Sequence, residues 1–258
     1  MDLRAGPYDQ VARDFAGTPF ASIAYVEETE STNADATALL DDERYGGRTI
    51  VAEYQRRGAG RRGRTWLAPA GSALLFTTIL PRSVDSAKLW TVPYWVALAV
   101  RAALLDFGVR TTLQWPNDLL LGDRKIAGIL CQSSVVGPAA RVACGVGVNV
   151  CRPGADAGID PPPAFCDDVA AVDRAALLRA ILAQYTRTLS MLDQPERVTS
   201  AWDEAAQLPG RRYRIALDGA AAPFEAIAQG LADGGGLRVV RNDGSVEIVS
   251  LADARVVR

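Results

Sequence analysis

Residues 52–66 read AEYQRRGAGRRGRTW. Inside them Gly58-Ala59-Gly60-Arg61-Arg62-Gly63 spells G-x-G-x-x-G, the fingerprint of a dinucleotide-binding turn in a doubly wound parallel sheet. Such a turn needs a strand before the glycines and a helix opening after them, because the helix N-terminus holds the pyrophosphate. The strand is present: RTIVAEY (48–54) is β-branched and apolar. The helix is not. Gly63 is followed by Arg64, Thr65 and Trp66, then Pro69 and Gly71, then SALLFTTIL (72–80), which reads as another strand. The acidic residue expected about 20 positions downstream is also missing. The glycines therefore belong to a loop between two strands, and the dinucleotide reading fails.

That loop carries Arg56, Arg57, Arg61, Arg62 and Arg64 with Glu53 as its near acidic neighbour. Glycine lets a backbone close over a ligand, and guanidinium groups grip phosphate or carboxylate in a bidentate way. Charge pattern alone favours a solvated basic loop, and a glycine/arginine segment for single-stranded nucleic acid has thinner support. The chain as a whole, with 28 Lys+Arg against 30 Asp+Glu, is not built to coat nucleic acid.

The absence of histidine among 258 residues is more restrictive. It removes Ser-His-Asp and Cys-His catalysis and every His-ligated metal site. The cysteines, Cys131, Cys144, Cys151 and Cys166, form no C-x-x-C pair and read as spare buried thiols of a reducing compartment. No run of 18 apolar residues and no N-terminal signal is present, so a cytoplasmic protein without a membrane span is expected.

Outward from the loop, FASIAYV (20–26) reads as a first strand, and Ser31 or Thr32 is placed to cap a short helix running to Leu40. Helical spacing of apolar residues from Leu89 to Phe107 ends at Gly108. TTLQW (111–115) is a strand stopped by Pro116, and Gly122-Asp123 turns DLLL into RKIAGILCQ. RVACGVGVNV (141–150) alternates: Val142, Cys144, Val146, Val148 and Val150 share one face, and Ala143, Gly145, Gly147 and Asn149 the other. Such a strand packs a core on its bulky side, and its bare side serves as a ligand floor or takes close backbone packing from a helix. Residues 152–168 form a Pro/Gly/Asp-rich loop, two helices follow over 173–193 and 195–206, and after Pro209-Gly210 the texture changes to short strands. The expected fold is α+β: a mixed, mainly antiparallel sheet with flanking helices over 1–208, then a small β-barrel module over 209–258.

Five segments together resemble the biotin protein ligases: ETESTNADA (28–36), AEYQRRGAGRRGRTW (52–66), WPND (115–118), RKIAGIL (124–130) and GVGVN (145–149). The order and spacing match across the chain, including an SH3-like C-terminal module. The resemblance implies an ATP-dependent ligase that makes biotinyl-5′-AMP and transfers biotin to a lysine of a biotin carboxyl carrier domain, typically in acetyl-CoA carboxylase. Its substrates would be biotin and ATP, with Mg²⁺. About 20 residues precede the first strand, too few for a winged helix-turn-helix, so neither DNA binding nor a repressor role is expected; the resemblance also allows a homodimer.

By the same resemblance, Ser31, Thr32, Asn33, Gln55, Gly58, Ala59, Gly60, Arg61 and Lys125 would hold biotin. Arg61, Arg64, Trp66, Asn117 and Asn149 would hold ATP or the adenylate, and Asp118 would face Mg²⁺. Arg61 and Lys125 would act on the reacting groups. Two departures stand out: Ala59 occupies a position where the family has arginine, and Gln114 one where it has lysine. Arg56 or Arg57 is the nearest replacement for the missing charge. These departures keep two alternatives open, a related lipoate or acyl ligase and a non-catalytic biotin- or nucleotide-binding paralogue.

Overall fold

The apolar runs of the sequence assemble into a sheet whose two faces are unequal, and that inequality places the site. The structure is a computed structural model that describes residues 6–154, 159–219, 222–251 and 254–257. In chain order the elements are α1 (Asp9–Asp14), β1 (Ile23–Thr29), α2 (Thr32–Thr37), β2 (Thr49–Gln55), the two-residue strands β3 (Gly58–Ala59) and β4 (Thr65–Trp66), β5 (Ala73–Ile79), β6 (Val84–Asp85) and α3 (Thr91–Asp106). There follow β7 (Thr112–Gln114), β8 (Asp118–Leu121), β9 (Arg124–Val136), β10 (Ala139–Asn149), α4 (Arg174–Thr188) and α5 (Pro195–Ala205). The C-terminal strands are β11 (Arg212–Leu217), β12 (Phe224–Leu231), β13 (Leu237–Arg241), β14 (Val246–Val249) and β15 (Ala254–Val257).

The large sheet has the order β1-β2-β5-β10-β9-β8-β7, with β6 also pairing β10. Only the β1–β2 pair is parallel; the other pairs are antiparallel. This is the mixed, mainly antiparallel α+β arrangement read from the sequence, and a C-terminal β-sheet domain of order β14-β13-β12-β11-β15 follows it. Among the described residues no helix is long and apolar enough to cross a membrane.

Alternation along β10 sets the two faces. Val142, Cys144, Val146, Val148 and Val150 enter the main core with Trp95, Leu104, Ile181 and Trp202 from α3, α4 and α5. Burying a Val side chain of this kind contributes about 1.5–3 kcal/mol, so the bulky row holds the sheet on its helices. On the opposite face α2 caps a small cluster of Ala36, Leu40, Ile50, Ile79 and Ala143. The bare row is partly filled. A Cβ on Gly145 would lie 1.8 Å from Asn33 Oδ1, and one on Gly147 would lie 2.6 Å from the Trp66 ring. Packing from α2 at Gly145 and an indole lying over Gly147 therefore occur side by side along one strand.

The structure corrects several local expectations. The first strand begins at Ile23 rather than Phe20, which is wholly buried, and continues through Glu28 because its pairing runs on to Thr29↔Gln55. Neither Ser31 nor Thr32 caps α2 with its side chain. Ser31 has the extended N-cap backbone (φ −166°) and its carbonyl accepts from Asp35 N, while the Thr32 hydroxyl is drawn to Gln55. The thiols are not uniformly buried: Cys144 and Cys166 are, Cys131 is intermediate and Cys151 exposed. The glycine loop is a hairpin, with Gly58↔Trp66 and Ala59↔Thr65 paired around a 3₁₀ turn at Arg61–Gly63. The tail holds a fifth strand, β15, that its composition did not announce. Within the 152–168 loop, residues 155–158 lie outside the described residues.

Candidate active site

A cavity of about 560 Å³ opens on the bare face of β9 and β10, in the size range of small-molecule sites. One wall starts from the end of β2. Gln55 Oε1 accepts from Thr32 N at 2.8 Å and from Thr32 Oγ1 at 3.0 Å. Beneath them Thr77 Oγ1, fully buried in β5, lies 2.8 Å from Thr32 Oγ1 and 2.6 Å from Asn33 Oδ1. Asn33 Nδ2 donates to the Leu130 carbonyl at 2.9 Å. This chain of small polar groups is buried and paired, so its geometry is fixed before any ligand arrives.

The floor needs its glycines. The Trp66 indole lies across Gly128 and Gly147, whose added Cβ atoms would meet it at 2.9 and 2.6 Å. Lys125 Nζ stands 5.3 Å from the Trp66 ring centroid and 2.6 Å from Asp118 Oδ1. Trp66 Nε1 is buried without a hydrogen-bond partner among the described residues, a donor suited to an acceptor on a ligand. At the far end Asn149 Nδ2 donates to the Ala164 carbonyl at 3.1 Å, and Asn117 Nδ2 to the Ile129 carbonyl at 2.7 Å. Both amides thus secure the site's backbone as well as lining it.

A second cavity, about 180 Å³, adjoins the first and is lined by Arg61, Arg62, Arg64, Lys125 and Asp118 with Gln114 and the C-terminal strand residues Ala254 and Val256. Burial lowers the Arg61 pKa from its usual value; Tyr94 and Asp118 act the other way, and Arg62 and Arg64 add to the depression. A guanidinium starts from so high a value that it stays cationic at neutral pH. Four cations and one carboxylate thus share this small space, a net positive lining suited to an anion.

Of the residues expected at the site, Ser31, Thr32, Asn33, Gln55, Ala59, Gly60, Arg61, Arg64, Trp66, Asn117, Lys125 and Asn149 all line the larger cavity. Gly58 does not; it permits the hairpin, since a Cβ there would sit 2.5 Å from the Trp66 carbonyl. Asp118 lines the smaller cavity instead. Arg56 and Arg57, the replacements expected for the arginine missing at Ala59, are not beside it in this structure. They pair with Glu28 and Glu30, outside both cavities, because the end of β2 lies beside the acidic end of β1.

Sequence reasoning missed Thr77, whose signal was a Thr-Thr pair inside an otherwise apolar strand, and Arg152, which lines the larger cavity. The Arg152 guanidinium packs over Phe165 at 4.8 Å and bonds Asp168. Asp168 also accepts from Arg124 Nη2 at 2.9 Å and Phe165 N at 3.1 Å. Burial opposes ionisation of Asp168, yet Arg152, the Phe165 amide and Arg124 together hold its pKa below the usual carboxylate value.

With this geometry in view, likeness to known proteins becomes informative. Residues 25–149, which carry every site residue expected from the sequence, match the family described as Biotin/lipoate A/B protein ligase. A Biotin--[acetyl-CoA-carboxylase] ligase of Paracoccus denitrificans is 34% identical over 238 residues, 87% of this chain and 96% of that protein. This chain belongs to the biotin protein ligase family. A Mycobacterium tuberculosis ligase of the same name is 31% identical over 79% of this chain and 78% of its own length. The biotin protein ligase of Aquifex aeolicus, solved with biotin and ATP, shares the fold with a TM-score of 0.74 at 21% identity, covering 93% of this chain and all of that one. The enzyme class expected from the motifs, a ligase, is the class of this family.

Proposed function

We propose that the protein joins biotin to ATP, giving biotinyl-5′-AMP and pyrophosphate, and then transfers biotin to a lysine of a biotin carboxyl carrier domain. The observation that carries this reading is the contact between two unlike cavities: a polar-walled, glycine-floored one and a cationic one, with Lys125 and Arg61 lining both. The names of the Paracoccus and Mycobacterium relatives and the biotin and ATP held by the Aquifex protein support the same assignment.

In the first step a biotin carboxylate oxygen bonds the α-phosphorus while the bond from that phosphorus to the bridging oxygen breaks and pyrophosphate leaves. The carboxylate is already ionised at neutral pH, so no general base is needed, in keeping with a chain without histidine. Alignment and neutralisation are needed instead. Gln55, Thr32 and Ser31 offer donors and acceptors to the ureido ring. Lys125 would meet the carboxylate end, and Arg61 the acyl-phosphate as it forms. Arg64 would grip the phosphates, with the Trp66 indole and Asn149 beside the adenosine. In the second step the neutral amine of the carrier lysine attacks the mixed anhydride carbonyl, the bond to AMP oxygen breaks, and the amine's proton passes to solvent.

Magnesium fits this site only as a partner of the triphosphate. Among the described residues no group of three His, Cys, Asp or Glu side chains could hold an ion, and Asp118 is a single carboxylate already 2.6 Å from Lys125. Mg²⁺ is commonly held by one or two carboxylates plus phosphate oxygens, and when bound here it would neutralise charge on the leaving pyrophosphate.

Incubation with ATP, Mg²⁺, biotin and a purified carrier domain, followed by intact mass, tests the reading. A carrier gaining one biotin supports it. Gain with lipoate alone moves the protein to the sister activity, and biotin binding without pyrophosphate release makes it a sensor.

A further inference from the structure

The C-terminal sheet is fixed beside the site by contacts that do not involve the arginine turn. The Gly235 carbonyl accepts from Tyr94 Oη at 2.5 Å and from Trp115 Nε1 at 3.3 Å, and Arg211 Nη1 donates to the Leu113 carbonyl at 2.7 Å. Asp203 in α5 accepts from Leu231 N at 2.9 Å. Against this platform the arginine turn leans at two points. Arg61 Nη2 donates to the Leu251 carbonyl, and Arg62 Nη2 pairs with Asp218 at the end of β11. Within the turn, Gly60 N donates to the Arg64 carbonyl at 2.7 Å and Arg64 N to the Arg61 carbonyl at 3.3 Å. Its ladder is two residues long, and Arg62 adopts a left-handed backbone (φ +60°) that costs a non-glycine residue about 1–2 kcal/mol.

We propose that Asp218 is a positioning residue for adenylation: acting through Arg62, it holds the arginine turn open over the cationic cavity so that the nucleotide meets it already placed. The proposal rests on the ligase reading for its kinetic consequence but not for its structural one. Arg61 carries five N–H donors, so its bond to Leu251 leaves others for an anion. Asp218 itself is 66% exposed and Arg62 23% exposed, so the pair contributes little to global stability. Its effect is local, on the population of one turn.

Two measurements on the full chain separate these levels. Trypsin cleavage after Arg64 in ligand-free protein should run about two- to fivefold faster in Asp218→Ala, with the melting temperature unchanged and Asp218→Glu restoring protection. In biotin-dependent ATP–pyrophosphate exchange the ATP KM should rise by a similar factor while kcat stays within twofold, because the turn must then be ordered at binding. Arg62→Ala combined with Asp218→Ala should be no worse than Arg62→Ala alone. Unchanged cleavage and ATP KM in Asp218→Ala, or additive effects in the double variant, would overturn the proposal. Wild-type protein that shows no exchange with biotin removes the ligase reading, and the trypsin comparison still decides whether the contact orders the turn.

Discussion

The tripeptide Arg-Arg-Gly occurs twice within eight residues, as Arg56-Arg57-Gly58 and Arg61-Arg62-Gly63, and the two copies meet different fates. The first pair of arginines faces Glu28 and Glu30 across the β1–β2 edge and lies outside both cavities. The second pair leans on the C-terminal sheet and lines the cationic cavity. The glycines diverge as well. Gly58 is pressed against the Trp66 carbonyl, whereas Gly63 has φ +70° with open space around it. Composition makes the copies equal; only what each faces across the fold separates a solvated ion pair from a ligand grip.

The largest effect that would break this contrast is expected at Arg61. Arg61→Ala should lower the rate of biotinyl-adenylate formation by about a hundredfold or more, the usual loss when one preorganised donor to a developing anion is removed. Single-turnover measurement of adenylate, with a variant that still melts normally, checks it. A loss below tenfold would mean that Arg64 or Lys125 carries the charge and that the second pair is less special than its position suggests.

The glycines come next. Gly58→Ala places a Cβ 2.5 Å from a backbone carbonyl, too close to tolerate, so the β3–β4 hairpin must open and Trp66 must leave its glycines. A fall of about tenfold or more in biotin affinity is expected, since the wall of the cavity moves by more than a side-chain adjustment. Gly63→Ala meets no atom and pays only for its left-handed backbone, about 1 kcal/mol. Titration with biotin, read by Trp fluorescence, separates the two; equal effects would dissolve the distinction between crowded and merely strained glycine.

Between the two tripeptides stands Ala59, exposed at the cavity wall. Arg56 and Arg57 pair with Glu28 and Glu30 and do not line the cavity at Ala59. Ala59→Arg should gain about one charge-assisted hydrogen bond, about 1.5–3 kcal/mol, lowering the biotin KM roughly tenfold to a hundredfold. An unchanged KM assigns the compensation to Arg152, which lines the larger cavity together with Arg61, Arg64 and Lys125 but lies outside the glycine loop.

Asp168 extends the comparison to a third arginine cluster, because it pairs with Arg152, which lines the larger cavity, and with Arg124, which does not. Its pKa is depressed in the folded protein, so its contribution is fully present above the ordinary carboxylate value near 4 and is lost as pH falls through the lower folded value. Wild-type protein should therefore keep its biotin affinity down to about pH 4, whereas Asp168→Asn should show a few-fold weaker affinity at pH 7 and a flatter acid limb. A titration with identical acid limbs in both proteins would place the acid sensitivity elsewhere.

Much of this was legible in the chain. The β10 alternation announced both faces of the sheet, since a period of two is local information. The failed dinucleotide fingerprint was legible for the same reason: the residues following Gly63 lie next to it. What sequence could not show were the partners made by distant folding. Arg61 meets Leu251 across 190 positions, Arg62 meets Asp218 across 156, and Tyr94 meets Gly235 across 141. Neither Asp218 nor Gly235 sits in a pattern that marks it. Thr77 escaped because a hydroxyl in an apolar strand reads as β-propensity until a buried partner is placed above it.

The smallest expected effect carries the comparison's negative half. Arg56→Ala and Arg57→Ala remove ion pairs in which every side chain is at least 45% exposed, a class that contributes little to stability. Neither residue lines either of the two cavities, so biotin and ATP KM values should stay within twofold of wild type and the melting temperature should shift by only a degree or two. Raising the ionic strength should erase even that difference, because screening acts on exposed pairs first. A tenfold loss of adenylation in either variant would mean that the loop rearranges on binding ligand and brings the first pair inward. The contrast between the two tripeptides would then describe the resting hairpin and not the one that reacts.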